Sequence, residues 1–195
     1  MSSFEFLSVL ISVVVGLGMA NMLKGIGEML HKRHTIRFSV MHLVWTIFVF
    51  VMMIIYWWTV VFGWKDWQNW NILLFMFVLI YGVILFLLCA ILYPGEIPES
   101  WDPYAHFIDL RRWFFGIMLV WVAFELTDTW LKEHFDDFGV PYLLLIGFFS
   151  TGAVIGYFSA KRRVQNILAN FYLAVLLSWL IYQLRDLEWS ATLGG

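Results

Sequence analysis

Five stretches of this chain run without a single Asp, Glu, Lys or Arg: 6–23, 38–64, 67–95, 138–160 and 164–184. No other feature restricts the fold so strongly. Crossing ~30 Å of hydrocarbon at ~1.5 Å per residue takes about 20 apolar residues in a helix, and each stretch is of that order. In lipid every backbone N–H and C=O must be satisfied within the segment, which leaves helices as the spanning element for stretches of this length. Composition agrees. The chain is 62% hydrophobic and 13% charged, whereas a soluble domain is roughly half apolar and about a quarter charged. A net charge of −2 gives no purchase on nucleic acid.

A sixth apolar stretch, 113–124, is too short alone and continues through Glu125 and Asp128 to Leu131. The basic residues decide whether it crosses. With six spans and the N-terminus outside, the inner loops hold Lys24, Lys32, Arg33, Arg37, Arg111, Arg112, Lys161, Arg162 and Arg163. The outer side then holds only Lys65, Lys132 and Arg185. Nine of the 12 basic residues on one side is the bias expected of the cytoplasmic face. Without the sixth crossing, Lys161–Arg163 would change sides and the bias would collapse. The expected fold is therefore all-α: a polytopic transmembrane helical bundle, one domain over 1–195, with both termini outside. The spans are expected near 4–24, 38–62, 70–92, 113–131, 140–160 and 165–184. The first is a retained helix, since Glu5 is the only early charge and no basic stretch precedes it.

Helix punctuation fits this plan. Asp102-Pro103 is an N-cap followed by proline at the first helical position, so an interfacial helix is expected to start at 103 within the inner loop 94–112. Gly139-Val140-Pro141 opens the fifth helix in the same way. Trp57, Trp58, Trp64, Trp67 and Trp70 bracket the second outer loop as an aromatic belt, and Glu133, Asp136 and Asp137 make the next outer loop acidic. Cys89 lies in an apolar run, as a buried small residue does. Three helices in each half would set the halves in opposite orientation, the formal condition for an inverted repeat. Asn71-Ile72-Leu73 and Asn166-Ile167-Leu168 open the third and sixth helices alike, but little else matches.

Small residues drive helix contact in lipid because they let backbones approach. Ser8, Ser12, Gly16 and Ala20 recur at every fourth position of the first helix, and Gly152, Gly156 and Ala160 do so in the fifth. Both are expected to be packing faces, within one bundle or between copies in a homo-oligomer.

Two polar constellations stand out. Glu125 and Asp128, at i and i+3, share one helix face. A carboxylate inside the membrane costs several kcal/mol unless it meets water or a partner, which makes it a functional candidate. Twelve residues beyond Trp113, Glu125 stands ~18 Å up its helix, in the outer half. The alternatives for the pair are a cation or proton pathway, or an outer vestibule with pairing to Lys132 or Arg185. The second constellation is at the inner end, where Asn21, Lys24 and Glu28 continue the stripe of the first helix, followed by His31, His34 and His42. His106, Asp109, Arg111 and Arg112 form a candidate surface there for docking or for lipid headgroups. No HExxH and no spaced histidine boxes occur, so no metal, cofactor or catalytic residue is assigned. Ser150 and Thr151 have no nearby base, and hydroxyls in such a helix bond back to their own backbone.

The segment Leu92-Tyr93-Pro94 … Asp102 … His106-Phe107 … Arg111-Arg112-Trp113-Phe114-Phe115-Gly116, with the opening Ser8-Val9-Leu10-Ile11-Ser12 … Gly16-Leu17-Gly18, resembles a group of small, functionally uncharacterised bacterial inner-membrane proteins. The resemblance covers most of the chain. It implies a six-helix plan in a bacterial plasma membrane and carries over no catalytic residue. The leading expectation is a small oligomeric channel or transporter for protons, ions or a small solute. The alternative is a non-transporting scaffold or accessory subunit that binds a protein partner at the inner face. A membrane enzyme acting on lipid or quinone through His31, His34, His42 or His106 stands third.

Overall fold

The computed structural model describes residues 3–65, 67–132 and 139–193, with side chains over 4–65, 67–132 and 139–182. Glu133, Asp136 and Asp137, and the side chain of Arg185, lie outside that set. Six helices follow one another: α1 (Ser3–His31), α2 (Val40–Gly63), α3 (Ile72–Leu92), α4 (Pro103–Leu131), α5 (Val140–Phe158) and α6 (Arg162–Leu193). There is no strand among the described residues, and all six helices are long and apolar enough to cross a membrane. The protein is thus an all-helical, multi-pass membrane protein.

The ends form where local chemistry places them. Ser39 and Asn71 cap α2 and α3 by accepting the backbone N–H groups of His42 and Leu74. Asp102 Oδ1 takes the N–H groups of Tyr104 and Ala105 at 2.9 and 3.1 Å, with Pro103 at the first helical position. Helix α4 is then unbroken from Pro103 to Leu131. The separate interfacial helix expected at 103 is instead the first turns of the spanning helix. Both α1 and α4 have 29 residues, or ~43 Å. Each exceeds the ~30 Å hydrocarbon thickness and reaches beyond it or tilts.

Helix α2 is the centre of the bundle. It packs against α1 and α3 on one side, α6 on another and α4 more lightly; α1 also lies along α3, and α5 lies along α4. The two halves of the chain therefore pack differently. Asn71 caps α3, whereas Asn166 sits inside α6, so the shared Asn-Ile-Leu has no shared role. At the middle of the core Trp45 of α2, fully buried, meets Phe114 at 4.9 Å, Tyr172 at 5.4 Å and Phe115 at 5.6 Å between ring centroids. Edge-to-face pairs of this kind add about 0.5–1.5 kcal/mol each beyond area burial. In lipid, where apolar burial gives no gain between helices, such contacts carry the packing.

Glycines seat these rings. A Cβ on Gly156 would fall inside the Phe115 ring, and one on Gly152 would meet the Tyr172 ring and hydroxyl. The fifth-helix stripe thus packs within the chain through Gly152 and Gly156, while Ala160 lies past the end of α5 and is exposed. The α1 stripe does not pack within the chain. Ser12, Gly16 and Ala20 face outward, Ser8 is half-buried, and nothing lies within 4 Å of a Cβ placed on Gly16. The inward face is the adjacent one, Leu7, Ile11, Val15, Gly18, Met22 and Gly25. Here Gly18 meets Met53 and Cys89, and Gly25 takes the Tyr93 ring.

Candidate functional site

We call the side on which α1 begins the N-terminal face. The ends of α2 and α4 and the starts of α3 and α5 also lie there. Near that face Glu125 and Asp128 project from α4 on one side, as their spacing requires, but they have different environments.

Asp128 is neutralised. Its Oδ2 takes Lys132 Nζ at 2.5 Å, one helical turn along, and both side chains are about nine-tenths buried. Its Oδ1 accepts Trp64 Nε1 at 2.9 Å, and Trp64 is the C-cap of α2. The Lys132 ammonium stands 5.3 Å from the Trp64 ring centroid, a cation–π contact. Gly63 leaves the room, since a Cβ there would lie 2.8 Å from Lys132 Nζ. A buried pair with its remaining donors and acceptors engaged locks α4 to α2; removing either member would strand a charge.

Glu125 is not neutralised in this way. It is half-buried and no Lys, Arg or His among the described residues is within ion-pair distance. Tyr81 of α3 donates its hydroxyl to Oε2 in a short hydrogen bond. Behind it the Tyr56 ring of α2 lies 4.7 Å from the Tyr81 ring, and the Tyr56 hydroxyl is committed to Val78 O at 2.6 Å. Gly82 makes this possible: a Cβ would lie 3.1 Å from the Tyr56 hydroxyl. One turn along α4, Thr129 donates to Glu125 O at 3.0 Å, so it is Tyr142 of α5 that donates to Thr129 across 2.9 Å.

These residues enclose a cavity of about 130 Å³ between α2, α3, α4, α5 and α6. Glu125 opens onto it. Tyr56, Tyr81, Trp121, Tyr142, Phe149 and Trp179 supply rings, and Met52, Ile55, Leu145, Ile146 and Leu176 complete an apolar wall with Thr59. The sequence pointed to Glu125 but not to Tyr56, Tyr81, Trp121 or Tyr142. One signal was present: Tyr81 and the adjacent Gly82 interrupt the otherwise uniformly aliphatic and Phe-rich run of α3.

The second constellation has a structural task on the opposite face. Helix α3 ends at Leu92, and Pro94, two residues on, has no N–H with which to cap it. Its last carbonyls are satisfied from three other helices. Asn21 of α1 reaches Cys89 O at 3.5 Å, His106 of α4 reaches Ile91 O at 3.0 Å, and His42 of α2 reaches Leu92 O at 2.7 Å. In both histidines Nε2 must carry the proton, since a carbonyl only accepts. Fully buried His42 is also boxed edge-on by Tyr93 at 4.9 Å and Trp101 at 5.4 Å. Thr46 donates to His42 O, so the Tyr93 hydroxyl, held by burial above its ordinary pKa, donates to Thr46 at 3.0 Å.

Lys24 and Glu28 bind the loop that follows. Lys24 Nζ donates to Gly95 O at 3.0 Å, Glu28 accepts the Ile97 N–H at 3.2 Å, and Lys32 donates to Ile97 O. The α1 stripe is thus a tether for the α3–α4 connection. His31 is exposed and pairs with Gly27 O of its own helix, and His34 is exposed. The four residues of the candidate docking surface divide: His106 turns inward as a cap, Arg111 is half-buried on Ile108 O, and Asp109 and Arg112 face out. Ser150 bonds back to Ile146 O at 2.8 Å. Among the described residues no three His, Cys, Asp or Glu come together as a metal-binding group.

Gln165, which carried no signal in the sequence, is fully buried and caps α5 by donating to Gly156 O and Ser159 O at 3.0 and 2.5 Å. Side chains lent between helices therefore close both helix ends on this face. Comparison with family models, with curated proteins and with solved structures finds no match for this chain.

Proposed function

We propose that the protein is a small channel or transporter of a bacterial plasma membrane in which Glu125 is the exchange site, binding and releasing a proton or a cation from the cavity between α2 and α6. One contrast carries this reading: of two carboxylates one turn apart, Asp128 is neutralised by Lys132 and Trp64, whereas Glu125 meets only the Tyr81 hydroxyl and open space. An intramembrane carboxyl without a fixed counter-charge is where proton relays are built. The earlier expectation treated the two acids as one site; the proposal now rests on Glu125. The outward-facing stripe Ser8, Ser12, Gly16 and Ala20 supports assembly of copies through α1.

The test is proton flux into proteoliposomes under an imposed gradient. Glu125→Gln should lower it at least tenfold, while Tyr81→Phe, which keeps the carboxyl and loses its donor, should shift its pH dependence. Flux unchanged by Glu125→Gln, or absent from the native protein, rejects the proposal. A second reading, a scaffold or accessory subunit, draws on outward-facing Asp109 and Arg112. It requires a stoichiometric partner that is lost with Arg112→Ala.

A further inference from the structure

We infer that the cavity beside Glu125 binds a small organic ammonium ion, an alkyl or aryl monocation of about the size of benzylammonium. The inference rests on the reading of Glu125 as the exchange site and gives that site a ligand class. Charge supports it first. Tyr81 occupies Oε2 of Glu125, Oε1 takes no hydrogen bond among the described residues, and no cationic side chain among them is within ion-pair distance. The open oxygen therefore presents a negative charge, or its proton, to the cavity.

The walls select among cations. A Na⁺, Mg²⁺ or Ca²⁺ ion leaving water needs several oxygen ligands in place of its hydration shell. Besides Glu125 the wall has only the hydroxyls of Tyr56, Thr59, Tyr81 and Tyr142. Tyr56 is spent on Val78, Tyr81 on Glu125 and Thr59 on Tyr56 O. The same wall carries six aromatic rings, whose electron-rich faces attract an ammonium or quaternary ammonium without oxygen ligands, and whose bodies suit its carbon substituents. Size sets the upper limit. A cavity of about 130 Å³ is slightly smaller than the ~150 Å³ apolar cavity known to take benzene, so a single ring or a short branched alkyl group fits and a lipid tail does not.

Three probes of one shape separate charge from hydrophobicity: benzylammonium, benzyl alcohol and benzoate. Each would be titrated calorimetrically at pH 7 into the full-length protein in nanodiscs, with empty nanodiscs as reference. Benzylammonium should bind at least tenfold more tightly than benzyl alcohol, and benzoate should not bind. Glu125→Gln should bring the ammonium down to the affinity of the alcohol; Trp121→Leu should weaken both. Equal affinities for the three probes, preference for benzoate, or an ammonium preference retained in Glu125→Gln would each overturn the inference. The native-protein series decides the matter even if a variant does not fold. Glu125-dependent proton flux without ammonium selectivity would overturn this inference and leave the transport reading intact. Ammonium selectivity without flux would do the reverse.

Discussion

At the scale of single residues, the polar groups of this protein divide into those that close the structure and one that leaves it open. Asp128 and Lys132 belong to the first kind. Asp128→Asn strands a buried ammonium and is expected to cost about 3 kcal/mol, read as lowered unfolding stability in detergent micelles. Asp128→Asn combined with Lys132→Met removes both charges and should recover most of that loss. If the single and double variants are equally destabilised, the pair is not coupled. His42 is a sharper case, since its imidazole both fills space and satisfies Leu92 O. His42→Phe keeps the volume and leaves the carbonyl bare, which should cost roughly 1–3 kcal/mol. The matching His106→Phe, at a half-buried position where water can replace the donor, should cost less than about 1 kcal/mol. Equal losses in the same unfolding assay would contradict this account of the α3 terminus.

At the scale of helices, the existence and ends of the elements were legible because they depend on local chemistry. The Asp102-Pro103 signal, the Gly139-Val140-Pro141 opening and the long uncharged runs each specify an element without reference to its neighbours. Which face of a helix turns inward was not legible. A helix in water buries its apolar stripe and exposes its polar one, but α1 is apolar on all sides between Phe6 and Leu23, so its rotation is set by fit alone. Gly16 and Gly18 are two residues apart, and only the shape of Met53 and Cys89 brings Gly18 inward. The same limit applies to Glu125 and Asp128: their shared face follows from spacing, but their different partners come from α2 and α3, far away in sequence. The histidines illustrate it again, as nothing near His42 or His106 marks them as caps for α3. A prediction follows from the glycine geometry. Gly16→Leu meets open space and should change single-chain stability by no more than about 0.5 kcal/mol, whereas Gly156→Leu drives a side chain into Phe115 and should cost at least 2 kcal/mol. Thermal unfolding of the two variants in the same detergent compares them directly. A destabilised Gly16→Leu in a chain shown to be monomeric would contradict the outward orientation of that face.

At the scale of the whole molecule, the helices define two faces, and the charges are divided unequally between them. The connections α1–α2, α3–α4 and α5–α6, with the flanking helix ends, hold nine of the 12 basic residues. The two ends of the chain emerge on the other side, with Lys65 and Lys132. Insertion retains Lys and Arg in the cytoplasm, so the face carrying the histidine caps and the α3–α4 tether is expected to be cytoplasmic, with the Glu125 cavity opening nearer the outside. The expectation can be checked without disturbing the bundle. Cys89 is fully buried and gives little background, so single cysteines can be placed at exposed positions. In intact cells a membrane-impermeant maleimide should label Lys65→Cys and should reach Arg33→Cys only after permeabilisation. The reverse pattern would place nine basic residues outside and invert the side from which Glu125 is reached, and labelling of both positions in intact cells would mean that insertion is mixed. The orientation also determines what the cavity would sample: with Lys65 outside, Glu125 meets ligands arriving from the external medium first, and its exchange with the cytoplasm must pass the aromatic core around Trp45.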